Sequence, residues 1–227
     1  MLHVHGTVAS SYRPGQVSAG PVWDAIAASV LALPPDRRRS ILHLGLAGGT
    51  AARVLRALAP EAHIVGVELD GRVVEEARRH FDLEALGLEV VVADALEVLR
   101  REERRFDAVI EDVFVGPSRA VRKPGWLPEP GLALARRLVA PGGLLVSVGI
   151  HEGPAVARAL RALCPRTLVI GVEGYHNRVF VGGSRLPDPR ELRRRIAASP
   201  IPPRSLARFR VRSLGPGGRS MIPRGGR

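Results

Sequence analysis

Apolar and amphipathic stretches alternate along the middle of the chain. Seven apolar or β-branched runs have the composition of buried strands: 41–45, 63–69, 88–92, 107–114, 143–150, 167–172 and 178–182. Most of them are separated by stretches with helical periodicity: 50–58, 71–80, 94–103, 128–139 and 153–163. This alternation predicts a doubly wound α/β fold, in which helices cover both faces of a mostly parallel sheet of seven strands. Because only EGYHN separates the last two runs, they are predicted to form an antiparallel hairpin.

The stretches on either side of this region differ from it. A helix is predicted from Pro21 to the Pro34–Pro35 pair, and another begins at Asp188–Pro189, with the aspartate as its cap. ARFRVRS has the alternation of one further strand, and the final GPGGRSMIPRGGR has the composition of a disordered segment. The chain is therefore predicted to comprise a short N-terminal segment (1–20), a main α/β domain (21–184) and an Arg-rich C-terminal helix with a flexible tail (185–227).

The formal net charge of +12 is concentrated near the C-terminus. Residues 185–227 contain twelve arginines and two acidic residues, whereas the preceding 184 residues contain 22 basic and 20 acidic ones. Such a basic segment can contact nucleic-acid phosphates, so an RNA partner stays open. Phe209 is its only aromatic residue, however, and a stacking platform for bases is therefore not predicted.

Several classes of protein do not fit the composition. No apolar run approaches the roughly 18 residues of a membrane span, and the start MLHVHGTVASSYRPG lacks the features of a signal peptide. The single cysteine, Cys164, excludes an intrachain disulfide and a multi-cysteine metal site. His3 and His5 alone do not make a metal site either. We therefore expect a cytoplasmic protein with no membrane partner and no metal.

A small-residue turn in ILHLGLAGGTAARVL (41–55) separates a predicted strand from a predicted helix. Gly45, Ala47 and Gly49 allow close approach of a ligand and direct amide groups at the helix start toward it. Glu68 ends the next predicted strand, 19 residues after Gly49. An acidic residue at about this spacing is placed to bind both ribose hydroxyls of a nucleoside. The glycines do not follow the pattern Gly-x-Gly-x-x-Gly, so a dinucleotide-dependent oxidoreductase is not favoured.

Acidic residues also end the third and fourth predicted strands. Asp94 can accept a hydrogen bond from an exocyclic amine such as adenine N6, with Ala95 beside the ring; the alternative is that Asp94 only caps the next helix. Glu111 and Asp112 close an apolar strand at the edge where ligands bind in such sheets. Because successive residues point opposite ways, only one is expected to face the ligand. Asp112 is the predicted one, because it opens the loop 113–127.

These motifs together resemble the class I S-adenosylmethionine-dependent methyltransferase fold, which is Rossmann-like, and within it the spermidine synthase family. The resemblance extends over roughly residues 20–184 and is carried by ILHLGLAGGT, VGVELDGRVVEEARRHF, VVVADALEVL, FDAVIEDVFVGP and LVAPGGLLVSVG. It implies a turn that lines the methionine part of S-adenosylmethionine or its decarboxylated form, a ribose ligand, an adenine contact and a catalytic carboxylate. By this resemblance Gly45, Ala47 and Gly49 line the methionine part, and Glu68 binds the ribose. Asp94 with Ala95 contacts the adenine, and Asp112 is the catalytic carboxylate.

The departures from the family concern the acceptor substrate. The family has Asp-x-x-Asp after the fourth strand, and here the second acid is replaced by Val115. Its Tyr-Gln or Tyr-His pair before the first strand is Val22-Trp23, and its N-terminal hairpin domain is shortened to about twenty residues. A diamine carries two cations and needs several acids. We therefore predict methyl transfer to a small-molecule nucleophile, with aminopropyl transfer from the decarboxylated cofactor as the alternative.

Three further residues are predicted to contact the substrate. Trp23 precedes the first strand, His151 follows the fifth, and Tyr175 stands in the turn between the last two. Each also fits a purely structural role, which is core packing for the tryptophan and solvent exposure for the other two.

Two interpretations from other classes stay open. The chain keeps the cofactor-binding motifs and lacks the substrate-binding motifs. This combination also fits a non-catalytic homologue that binds the cofactor or a partner. An RNA methyltransferase would use residues 185–227 for phosphate contacts. The family resemblance further implies a homodimer.

Overall fold

The computed structural model describes residues 1–4, 6–117 and 120–215 of the 227-residue chain. His5 and all but the first residue of the segment predicted to be disordered, 215–227, lie outside the described residues. In the part of the chain that is described, no helix combines the length and apolar character that crossing a membrane requires.

Two sheets are present among the described residues. The strands β1 (Leu2–Val4) and β2 (Thr7–Ser10) pair as an antiparallel hairpin. The main sheet has eight strands: β3 (Ser40–Leu44), β4 (His63–Glu68), β5 (Glu89–Val92), β6 (Phe106–Glu111), β7 (Val139–Gly149), β8 (Arg166–Val172), β9 (Arg178–Gly183) and β10 (Phe209–Ser213).

The strand order of the main sheet is β10-β8-β9-β7-β6-β3-β4-β5. The five strands from β7 to β5 in this order run parallel, whereas β9 runs antiparallel to both of its neighbours. The carboxyl ends of β3, β4, β5, β6 and β7 therefore lie along one edge of the sheet, which is where ligands bind in open α/β sheets.

In the described part of the chain, eight α-helices surround the main sheet: α1 (Pro21–Ala28), α2 (Thr50–Leu58), α3 (Gly71–His80), α4 (Ala95–Arg101), α5 (Gly131–Arg137), α6 (Gly153–Leu163), α7 (Pro189–Ala197) and α8 (Pro203–Arg208). Buried residues of α1, α2 and α7 share one core with one face of the sheet. Buried residues of α4, α5 and α6 share a second core with the opposite face. This is the doubly wound arrangement that the alternating pattern predicts.

The seven predicted strands and the antiparallel hairpin near the C-terminus are confirmed, but the sheet contains an eighth strand. The stretch ARFRVRS supplies it as β10, which pairs antiparallel with β8. Its first residue, Phe209, is completely buried in the core shared with α1, whereas Arg210 and Arg212 are exposed. Residues 185–213 thus extend the main sheet and its core, with α8 as a helix that the sequence pattern did not predict.

Candidate functional site

The turn after β3 has a backbone that only small residues tolerate. Gly45 and Gly49 have φ angles of 88° and 79°, and Ala47 also lies in the left-handed region with a φ of 47°. A Cβ atom on Gly45 would lie 2.5 Å from the carbonyl oxygen of Asp112. The turn is therefore packed directly against the end of β6, and Gly45, a predicted cofactor residue, is a neighbour of Asp112, the predicted catalytic residue.

Glu68 connects the end of β4 to this turn. Its Oε2 accepts a 2.8 Å hydrogen bond from the Ala47 amide, and its Oε1 accepts one of 3.1 Å from the Asp70 amide. The carboxylate is partly exposed and lies beside the turn, at the carboxyl edge of the sheet. The residue predicted to bind the ribose therefore lies beside the turn predicted to bind the methionine part of the cofactor.

Asp94 and Ala95 lie at the end of the next strand. One carboxylate oxygen of Asp94 accepts a 2.7 Å hydrogen bond from the Leu96 amide. Asp94 therefore caps α4, which is the alternative to an adenine contact that the sequence left open. The side chain is exposed and Ala95 is buried beneath it. The Ala93 amide donates a 2.9 Å hydrogen bond to the Glu68 carbonyl group, which holds the two predicted nucleoside contacts at adjacent strand ends.

Glu111 and Asp112 take different roles at the end of β6. Glu111 is completely buried and its carboxylate contacts Lys123, Ser147 and the Val113 amide. Asp112 is partly exposed, and its carboxylate accepts no hydrogen bond from the residues that the structure describes. The structure thus leaves the Asp112 carboxylate available to a ligand, whereas the Glu111 carboxylate is occupied by partners within the protein.

The Asp112 carboxyl group has an unusual acidity. Desolvation in this crevice raises its pKa from 3.8 to about 7, the positive charge of Lys123 opposes the rise, and the negative charge of Glu111 adds to it. A carboxyl group with a pKa near neutrality can accept and release a proton at physiological pH, as a general base must.

The polar cluster around Glu111 was not predicted. Nζ of Lys123 lies 2.6 Å from Oε1 of Glu111, and the hydroxyl group of Ser147 donates a 2.6 Å hydrogen bond to Oε2. Both charged side chains are essentially inaccessible, at 1% and 0% exposure. The available signal in the sequence was that Lys123 is the only lysine among 34 basic residues.

The N-terminal segment also reaches the glycine turn. The Ser10 hydroxyl oxygen accepts a 2.8 Å hydrogen bond from the Gly48 amide. The Thr50 hydroxyl group exchanges hydrogen bonds with both backbone groups of Ser11. No periodic pattern signals these contacts, because they depend on where the chain returns in space. They place the β1–β2 hairpin next to the predicted cofactor site.

The predicted substrate contacts are dispersed. Trp23 is partly buried and packs against the core of α1, while Tyr175 is exposed in the β8–β9 turn. His151 is exposed after β7, and its ring centroid lies 6.2 Å from that of His176. The structure therefore brings the two histidine loops together, and no hydrogen bond or ion pair joins Trp23, Tyr175 or His151 to Asp112 among the described residues.

The sequence of residues 41–143 matches the family described as Methyltransferase domain. A polyamine aminopropyltransferase of Mycobacterium tuberculosis is 41% identical over 120 residues, which is 49% of this chain and 23% of that protein. The chain spans only 12–36% of the length of the curated relatives that it matches.

Two solved structures share the fold at low sequence identity. A probable spermidine synthase from Corynebacterium glutamicum ATCC 13032 superposes with a TM-score of 0.69 and 21% identity, over 88% of this chain and 76% of that one. Human Methyltransferase-like protein 13, solved in complex with SAH, has a TM-score of 0.66 and 20% identity, over 89% of this chain and 96% of that one. The chain therefore has the class I S-adenosylmethionine-dependent methyltransferase fold, and its residues 41–143 are similar to a methyltransferase domain.

Proposed function

We propose that the chain is an S-adenosylmethionine-dependent transferase that moves a methyl group to a small-molecule nucleophile. Gly45, Ala47 and Gly49 would line the methionine part of the cofactor, and Glu68 would bind the ribose. Asp94 and Ala95 would contact the adenine, and Asp112 would accept the proton of the nucleophile.

The cofactor side of this proposal is supported by the fit of the turn to a nucleoside cofactor. The left-handed backbone at Gly45 and Gly49 keeps side chains out of the space above the turn, and the Glu68 carboxylate lies beside it. When bound, S-adenosylmethionine supplies a methyl group on a sulfonium, which is a good leaving group. The protein then has to align the nucleophile and take up its proton.

One observation carries the choice of methyl over aminopropyl transfer: Asp112 is the only strand-end carboxylate of β6 left for a substrate. Glu111 is paired with Lys123, and residue 115 is a valine whose backbone pairs with Arg122. A polyamine acceptor and a decarboxylated cofactor both bring extra positive charge, which a single carboxylate balances poorly. An acceptor with one neutral or protonated nucleophilic group fits this site better.

Aminopropyl transfer is the second candidate. Its support is the 41% identity to a protein named polyamine aminopropyltransferase and the structural likeness to a probable spermidine synthase. Under this reading Asp112 keeps its role as base, and the cofactor is decarboxylated S-adenosylmethionine. A non-catalytic role would keep the cofactor side without turnover.

The deciding experiment is calorimetric titration of the full chain with S-adenosylmethionine, its decarboxylated form and NAD. We expect the intact sulfonium to bind best, and Glu68→Ala to weaken it about 10- to 100-fold, because a charged acceptor is lost. Glu61→Ala is the matched control, since Glu61 is exposed before the other end of β4. Preference for the decarboxylated form would select aminopropyl transfer, and binding of neither sulfonium would overturn the proposal.

The expected partners follow from the proposed methyl transfer to a small molecule. We propose a small-molecule acceptor, and we keep the homodimer implied by the resemblance and the cytoplasm as expectations. The C-terminal arginines give little support to an RNA acceptor, because several contact the protein itself. Arg193 donates to the Phe209 carbonyl group at 2.6 Å, and Arg195 donates to the Leu31 and Ala32 carbonyl groups at 3.2 Å.

A further inference from the structure

Lys123 lies in a setting that is unusual for a lysine. Its side chain is 1% exposed, and Nζ donates hydrogen bonds to Oε1 of Glu111 at 2.6 Å and to the Val113 carbonyl group at 3.1 Å. Nζ also lies 3.9 Å from the centroid of the Phe114 ring. Lysine is almost never fully buried unless it is paired, so this position is specified by its partners.

Stability alone does not account for the buried pair of Lys123 and Glu111. Removing two charges from water has a large cost, and buried ion pairs are often replaced by apolar residues without loss of stability. All the hydrogen bonds of Glu111 are made inside the protein, with Ser147, Val113 and Lys123. The pair is therefore unable to bind a substrate itself, and its effect must act on what surrounds it.

The residue held by this pair is Asp112. The two peptide groups that follow Asp112 are each held by the ion pair, because the Val113 amide donates to Glu111 at 2.8 Å and the Val113 carbonyl group accepts from Lys123. The Asp112 amide donates to the Leu44 carbonyl group at 2.9 Å. The backbone on each side of Asp112 is thus tied to β3 and to the ion pair.

We propose that Lys123 is a positioning residue for Asp112, which acts through the backbone of Val113 and fixes the direction of the Asp112 carboxylate at the cofactor turn. The proposal rests on the proposed function in taking Asp112 as the base. Lys123 also ties in the turn after β7, because its amide donates to Oε1 of Glu152 at 2.9 Å. Without the Lys123 side chain, Asp112 would keep the repulsion of Glu111 and lose the positive charge that opposes the effect of burial.

The test is a carboxyl-carbon NMR titration of the full chain labelled at aspartate, in which the Asp112 signal is identified by its loss in Asp112→Asn. In the unaltered protein we expect a midpoint of about 7. In Lys123→Met the midpoint should rise by about 1 pH unit or more, because an opposite charge a few ångströms away is removed. In the double variant Glu111→Met with Lys123→Met it should also rise, but less, because the repulsion of Glu111 is removed as well.

Arg37→Met is the matched control. Arg37 approaches Asp107 near the opposite end of β6, so its removal takes away one positive charge from the same strand at a distance from Asp112. Its midpoint should match that of the unaltered protein. Should Lys123→Met fail to fold, the double variant, whose apolar pair is better tolerated in a core, supplies the measurement.

An unchanged or lower midpoint in the folded Lys123 variants would overturn the proposal, and so would an equal rise in Arg37→Met. The titration uses neither cofactor nor acceptor. A failure of the proposed function, seen as absence of sulfonium binding, is therefore distinguishable from a failure of the role given to Lys123.

Discussion

The hydroxyl group of Ser205 donates a 2.5 Å hydrogen bond to Oδ2 of Asp24, although 181 residues separate the two in the sequence. The same oxygen accepts a 2.6 Å hydrogen bond from Ser18. Asp24 is completely buried in α1, and this burial raises the pKa of its carboxyl group against the two serine hydrogen bonds and Arg204. One carboxylate thereby joins the N-terminal segment, α1 and α8.

We expect Ser18→Ala and Ser205→Ala each to lower the free energy of unfolding by about 1 kcal/mol. The double variant should lose more than the sum of the two, because the carboxylate then keeps neither hydroxyl donor. Urea unfolding at pH 7 measures all three, and Ser213→Ala, an exposed serine of β10, is the control. A double-variant effect equal to the sum would mean that the two hydroxyl groups do not act on a shared oxygen.

Replacing Gly45 by alanine is predicted to destabilise the protein for two reasons. One is the left-handed backbone at this position, and the other is the lack of space for a Cβ atom; a comparison with another glycine separates them. A Cβ atom there would meet the Asp112 carbonyl oxygen at 2.5 Å, whereas Gly87, with a φ of 57°, has nothing within 4 Å of its Cβ position. Gly87→Ala should cost about 1 kcal/mol, the ordinary strain of a left-handed alanine.

Gly45→Ala should cost at least roughly twice as much and should also weaken binding of S-adenosylmethionine, because the turn has to move away from the end of β6. Thermal unfolding and calorimetry of the two variants provide the comparison. Equal losses of stability in both variants would show that the contact with Asp112 relaxes without cost.

The elements of the fold that sequence periodicity signals directly were predicted well. All seven strands of the central region were placed to within a few residues, because apolar runs bounded by turns mark buried strands. The helix α8 was not predicted, since its six residues, PRSLAR, have too little periodicity. The burial of Phe209 was not foreseen either, because a single aromatic residue in an arginine-rich stretch gives no pattern.

The residues of the candidate site also fall into two groups, those that the sequence signals and those that it does not. Gly45, Glu68 and Asp112 could be found because strand ends and the glycine turn are visible in the sequence, and the structure brings them to one edge of the sheet. Lys123, Ser147 and Ser10 could not be found, since each reaches the site through a contact that depends on the packing of distant segments.

The raised pKa of Asp112 also predicts how stability depends on pH. In the unfolded chain this carboxyl group ionises near 3.8, and in the folded protein it ionises near 7. Between these values the unfolded state releases a proton that the folded state retains. The free energy of unfolding therefore falls as the pH rises through this window, and the loss is complete above about 7.

Asp112→Asn removes this titration and keeps a neutral side chain of the same shape. The variant should match the unaltered protein in stability near pH 3.8 and exceed it increasingly up to pH 7, by up to roughly 3 kcal/mol. At pH 7 and above, where the folded protein holds Asp112 ionised, its catalytic rate should be about 10²- to 10⁴-fold lower once an acceptor is known, because the base is absent. Urea unfolding at several pH values measures the stability difference. A difference that is constant across this range would mean that Asp112 ionises at the same pH in both states, and the carboxylate would then lack the raised pKa on which its role as a base rests.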